Sequence, residues 1–124
     1  MDTKITGQIQ NAQPFAPGLH LLVDFWGCRG LRDAEGIEHV LRAAAAACGA
    51  TVLHVMLHNF GESGGITGVA LLAESHISIH TWPETGYAAL DIFMCGSCDP
   101  RGALPELEAW FSPGSTRITE HRRG

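Results

Sequence analysis

The sequence predicts an α+β two-layer sandwich, a mainly antiparallel sheet with helices packed on one face. Three observations carry this: six short runs of strand formers broken by turn residues, an alanine-rich segment with a helical apolar stripe, and a length of 124 residues. That length suits one core and is too little for two.

The elements follow in order. Residues 1–17 are polar and carry Pro14 and Pro17, the composition of a flexible N-terminal arm, so a single domain is expected over residues 18–124. Leu19 to Trp26 is rich in strand formers and ends at Gly27. Asp33 can cap a helix that runs to Cys48 and stops at Gly49, with Ile37, Val40, Leu41, Ala44 and Cys48 on one buried stripe. Thr51 to Leu57 is a second strand. Phe60 to Gly68 holds four glycines and predicts a loop with unusual backbone angles, the kind that often lines a site. Val69 to Leu72, His76 to Trp82 and Tyr87 to Met94 are further strands, followed by a helix around Pro105 to Phe111 and a last strand at Thr116 to Thr119. A single sheet layer of this kind commonly hides its other face in a dimer.

Composition narrows the function. Hydrophobic residues make up 45% and charged ones 17%, a globular balance that fits neither disorder nor a membrane protein. Leu19 to Trp26 is interrupted by Asp24 and falls short of the roughly 20 residues a spanning helix needs. No export signal is visible, so a cytoplasmic protein with four free thiols is expected. A net charge of -5 with eight Lys and Arg, adjacent only at Arg122 and Arg123, argues against nucleic acid as a partner. Cys95-Gly-Ser-Cys98 has redox or half-zinc-site spacing, but a zinc site wants a second ligand pair and none is evident, so no metal is expected.

The informative segment runs from Glu74 to Cys98. It packs Ser75, His76, His80, Glu84, Cys95 and Cys98 into one apparent hairpin. If Pro83 to Gly86 forms the turn, Trp82 faces Tyr87, and pairing outward places Ser75 opposite Met94 and next to Cys95. Positions 75 and 80 differ by an odd number and point to opposite faces of a regular strand. Either Ser75 sits in a bend or bulge, or His80 acts around that bend. Taken singly, each residue also has a bland role: a strand serine or histidine is usually structural, Glu84 can solvate the turn after Pro83, and Phe60 can belong to the core. A serine hydrolase is disfavoured because Ser75 lies between Glu74 and His76 rather than between glycines.

The run AESHISIHTWPETGYAALDIFMCG, together with GLHLLVDFWGC, GITGVALLAESH and the terminal TEHRRG, strongly resembles the bacterial and archaeal S-adenosylmethionine decarboxylases. These are short pyruvoyl enzymes that cleave themselves at a Glu-Ser bond. The resemblance covers residues 18–124 and implies cleavage between Glu74 and Ser75. Ser75 would become the pyruvoyl cofactor, with His80 and Thr67 assisting processing and Cys95 acting as catalytic proton donor. Phe60 would stack on adenine, Glu84 would hold the ribose, and Ile77 would join the substrate contacts. FGESGGITG departs from relatives in lacking a proline and being one residue longer, and Thr67 stands where serine is usual, its methyl restricting χ1.

The implied chemistry explains why these groups would work together. The Ser75 hydroxyl would attack the Glu74 carbonyl, a hydroxyl such as that of Thr67 would stabilise the oxyanion, and His80 would remove the Cα proton. The resulting ketone would take the substrate amine as a Schiff base and accept the electrons released with carbon dioxide, without pyridoxal phosphate. The expected product is decarboxylated S-adenosylmethionine for spermidine synthesis, made by a homodimer of cleaved protomers. Two alternatives stand beside it: a pyruvoyl decarboxylase of the same fold acting on ornithine or arginine, and an uncleaved, non-catalytic binding or regulatory subunit.

Overall fold

A computed structural model describes residues 18–124; the expected arm at residues 1–17 lies outside the described residues. The chain runs β1 (Gly18–Trp26), α1 (Ala34–Ala47), β2 (Val52–Asn59), β3 (Ile66–Leu72), β4 (Ser75–Trp82), β5 (Tyr87–Cys95), a 3-10 turn at Pro100–Gly102, α2 (Ala103–Phe111) and β6 (Ser115–Arg123). The six strands form one antiparallel sheet in the order β2-β3-β4-β5-β1-β6. Among the described residues, no helix is long and apolar enough to cross a membrane.

Strand alternation divides the sheet into two faces. One carries Leu21, Val23 and Phe25 of β1, Ile66, Ala70 and Leu72 of β3, Ile77 and Ile79 of β4, and Ala88, Leu90, Ile92 and Met94 of β5, all buried. The helices cover this face with the α1 stripe of Ile37, Val40, Leu41, Ala44 and Ala45 and with Ala103, Leu107 and Phe111 of α2. Asp33 caps α1 as expected, its carboxylate accepting from the Gly36 N–H at 3.0 Å. The other face has no covering element among the described residues, which gives the two-layer α+β arrangement.

Three of the boundaries that differ from expectation have a plain physical reason. β3 begins at Ile66, inside the stretch expected to be loop, because Ile66 is an inward-facing core residue and Thr81 anchors its backbone: the Ile66 N–H donates to the Thr81 hydroxyl at 2.8 Å. α2 begins two residues before Pro105, where a proline is tolerated in the first turn. β6 runs to Arg123 rather than Thr119 because β1 pairs with it along its whole length.

The topology interleaves the two halves of the chain. β1 lies between β5 and β6, and β3 pairs with β4. A cut between β3 and β4 therefore leaves one fragment's first strand clamped inside the other fragment's sheet.

Candidate active site

The uncovered face and its rim carry the reactive groups, in two clusters at opposite ends of β4. The first lies at the β3–β4 turn. Leu72 pairs with Ser75, so Ala73 and Glu74 make a two-residue connection, and Glu74 adopts φ 63°. That is the left-handed region, where a side chain costs roughly 1–2 kcal/mol. The bend considered from the sequence is thus at Glu74, and Ser75 is the first residue of β4. His76 pairs with Phe93, so the register brings Ser75 to the level of Met94, as the turn geometry implied. The Cys95 N–H donates to the Ser75 hydroxyl at 3.2 Å. Both residues are half-buried.

The second cluster surrounds a cavity of about 380 Å3 at the far end of the strand. Thr67 pairs with His80, and the Thr67 hydroxyl lies 3.2 Å from His80 Nδ1. Phe60, Thr67, His80 and Glu84, all singled out in the sequence, line the cavity together with Ser63 and Trp82. The glycines of the loop allow this closeness: a Cβ on Gly65 would come within 2.0 Å of the Thr81 carbonyl oxygen.

Ser75 and Cys95 are brought together, and so are Thr67, His80, Glu84 and Phe60, but the two groups are separated. Five steps along the extended strand separate Ser75 from His80, about 17 Å at roughly 3.3 Å per step. His80 and Thr67 point to the uncovered face, whereas Ile77 is fully buried on the helix side. The expectation that Ile77 contacts substrate is therefore corrected: the sheet stands between its side chain and the cavity.

Beyond the expected pairing of Trp82 with Tyr87, two features are not legible in the sequence. Trp82 lines the cavity and stacks on Tyr87 (centroids 5.2 Å, 24°), which stacks on Trp26 (5.7 Å, 24°), which in turn lies under Arg117 at 5.7 Å. The Tyr87 hydroxyl donates to Asp24, and this hydrogen bond, followed by burial, raises the tyrosine pKa. The alternation of His80 and Trp82 on one face was the available signal. The second feature is a network centred on Asp91, whose Oδ1 lies 2.8 Å from His20 Nε2 and 2.7 Å from His76 Nε2, with the Ser78 hydroxyl donating to Oδ2. Burial raises the Asp91 pKa, but the hydrogen bonds from Ser78, His20 and His76 together hold it below the usual value. His20, His76 and Asp91 are close enough to suggest a cation site. However, Arg123 can only donate and lies 3.0 Å from His20 Nδ1, so that nitrogen accepts and Nε2 carries the proton toward Asp91. This turns the trio into a hydrogen-bonded network.

Comparison with known proteins bears on all of this. Residues 19–124 match the family model described as S-adenosylmethionine decarboxylase. A protein of Methanococcus maripaludis (strain S2) named S-adenosylmethionine decarboxylase proenzyme is 48% identical over 110 residues, covering 86% of this chain and 89% of that protein. One of the same name from Thermomicrobium roseum is 40% identical over 108 residues, covering 86% and 93%. The crystal structure of the adenosylmethionine decarboxylase of Aquifex aeolicus superposes with a TM-score of 0.79 at 34% identity, covering 89% of this chain and 92% of that one. None of these three names an ornithine or arginine decarboxylase or a non-catalytic subunit.

Proposed function

Because the chain belongs to the S-adenosylmethionine decarboxylase family, whose members are pyruvoyl-dependent, we propose that it cuts itself between Glu74 and Ser75 and converts Ser75 into the pyruvoyl group. Residues 18–124 act as one domain that decarboxylates S-adenosylmethionine, and the product feeds polyamine synthesis. The observation that carries this is the Glu74–Ser75 bond itself, held in a two-residue turn at a left-handed φ with the Ser75 hydroxyl tethered beside Cys95.

The chemistry follows from these positions. The Ser75 hydroxyl attacks the Glu74 carbonyl, converting a peptide at a strained residue into an ester. A hydroxyl, that of Thr67, stabilises the oxyanion, and a base, His80, removes the Cα proton of residue 75 and releases the Glu74 carboxylate. Hydrolysis of the resulting dehydroalanine leaves the pyruvoyl group and ammonia. Once formed, that group supplies a carbonyl that takes up the substrate amine and the electrons left by carbon dioxide. Cys95 returns a proton to the product carbon. Phe60 offers a flat apolar face to adenine, and Glu84 accepts hydrogen bonds from the ribose hydroxyls.

The separation of the two clusters calls for a second copy. A two-fold axis lying between two facing sheets, at a right angle to β4 and level with its midpoint between positions 75 and 80, brings the Ser75–Cys95 end of one copy over the Thr67–His80 end of the other. The two uncovered faces then stack as paired sheets about 10 Å apart. The active unit in this reading is a homodimer of cleaved protomers.

Intact-mass spectrometry with carbon dioxide release from S-adenosylmethionine, ornithine and arginine tests the function. The expected result is two fragments, 1–74 and 75–124, the second blocked by a pyruvoyl group, with release from S-adenosylmethionine. Ser75→Ala stays as one inactive chain. Cleavage that persists in Ser75→Ala, or a wild-type chain that stays uncut and releases nothing, overturns the proposal.

A further inference from the structure

We infer that His58 is a positioning residue for the planar ring of the substrate, acting through Phe60; the inference rests on the stacking role proposed for Phe60. Phe60 is 62% exposed, so core packing does not set the direction of its ring. Its backbone is held from the loop side: the Phe60 N–H donates to the Gly65 carbonyl at 3.0 Å and the Gly64 N–H to the Gly61 carbonyl at 3.1 Å. The Asn59 side-chain oxygen accepts from the Gly61 N–H at 3.0 Å. These bonds fix where the Phe60 Cα lies and leave χ1 and χ2 free.

The ring contact is made by His58, with centroids 4.5 Å apart and planes at 68°, the edge-to-face arrangement that aromatic pairs prefer. His58 stands on β2 in register with Thr67, which pairs with His80. One row of the sheet thus joins the ring support to the Thr67–His80 pair. His58 is not among the cavity-lining residues, so it orients the ring that does line it. An exposed aromatic held in place before substrate arrives loses less freedom on binding. The gain therefore falls on substrate affinity rather than on the chemical step or on self-cleavage.

The test uses cleaved enzyme and S-adenosylmethionine. His58→Ala should raise KM roughly three- to tenfold, the range lost with an aromatic pair, while self-cleavage stays complete and kcat stays within about twofold. His58→Phe restores a ring edge without a titratable nitrogen and should return KM to within about twofold of wild type. Adding His58→Ala to Phe60→Ala should do no further harm, since both remove the same contact. An unchanged KM in His58→Ala, failure of His58→Phe to rescue, or loss of self-cleavage overturns the inference. If Phe60→Ala raises KM and His58→Ala does not, only the inference fails. If Phe60→Ala leaves KM unchanged, the stacking role fails and the inference with it.

Discussion

The two faces of the sheet obey different rules. The helix-covered face is a mainly apolar layer from Phe25 to Met94, sealed by α1 and α2, in which the buried Thr81 hydroxyl is hydrogen-bonded to the Ile66 N–H and the Leu31 carbonyl. The uncovered face carries six of the seven histidines, His20, His54, His58, His76, His80 and His121, with Asp24, Asp91 and the Trp26–Tyr87–Trp82 stack. Alternation lets one set of strands serve both purposes, because side chains one residue apart never compete for the same side. The difference teaches that stability and chemistry can be altered separately in this protein.

The largest effect should come from mixing two defective chains. If the clusters meet across copies, Ser75→Ala and His80→Ala chains expressed together form a mixed dimer with one intact and one doubly defective site. About half of the wild-type decarboxylase activity per mixed dimer should return, although each variant alone is inactive. No recovery, with mixed dimers shown by mass to exist, would place both clusters in one chain's site and break the two-copy reading.

A smaller effect separates the faces by stability. Phe25→Ala on the helix side should cost about 3–5 kcal/mol in urea unfolding. Leu71→Ala on the uncovered face, where Leu71 is 47% exposed in the single chain, should cost less than about 1 kcal/mol when unfolding is followed on protein diluted to the monomer. Equal losses would erase the distinction drawn between the faces.

The smallest effect concerns the Asp91 network. Hydrogen bonds from Ser78, His20 and His76 outweigh burial and depress this carboxyl. Its contribution is therefore present above the ordinary carboxylate pKa of about 3.9 and is lost as pH falls through the lower folded value. Asp91→Asn should cost about 1–2 kcal/mol at pH 7, with the gap to wild type closing below about pH 4. Urea midpoints at steps from pH 7 down to pH 2 measure it, and a gap that does not narrow anywhere below pH 4 would remove the carboxylate charge from the explanation.

Much of this was legible in the chain. The turn at Pro83 to Gly86 determined the pairing of β4 with β5, which alone is enough to set Ser75 beside Cys95. The spacing of Ile37, Val40, Leu41 and Ala44 revealed α1 and its buried side. The start of β3 was not legible, because four glycines conceal a strand whose first residue is held by a threonine fifteen positions later. Ile77 was misplaced because it sits between two polar residues of the motif, and only its depth in the core shows which way it points.

The sequence by itself determined what is local: the helix cap at Asp33, the strand alternation, the tight turns, and the adjacency of Glu74 and Ser75. Those depend on interactions within a few residues, and residue types report them directly. Only the tertiary structure decided that β1 lies between β5 and β6 and that Phe60 and Glu84 share a cavity with Thr67 and His80. An extended strand is stiff and carries neighbours in sequence away from one another, while the order of strands in a sheet is settled by which apolar faces can be buried together.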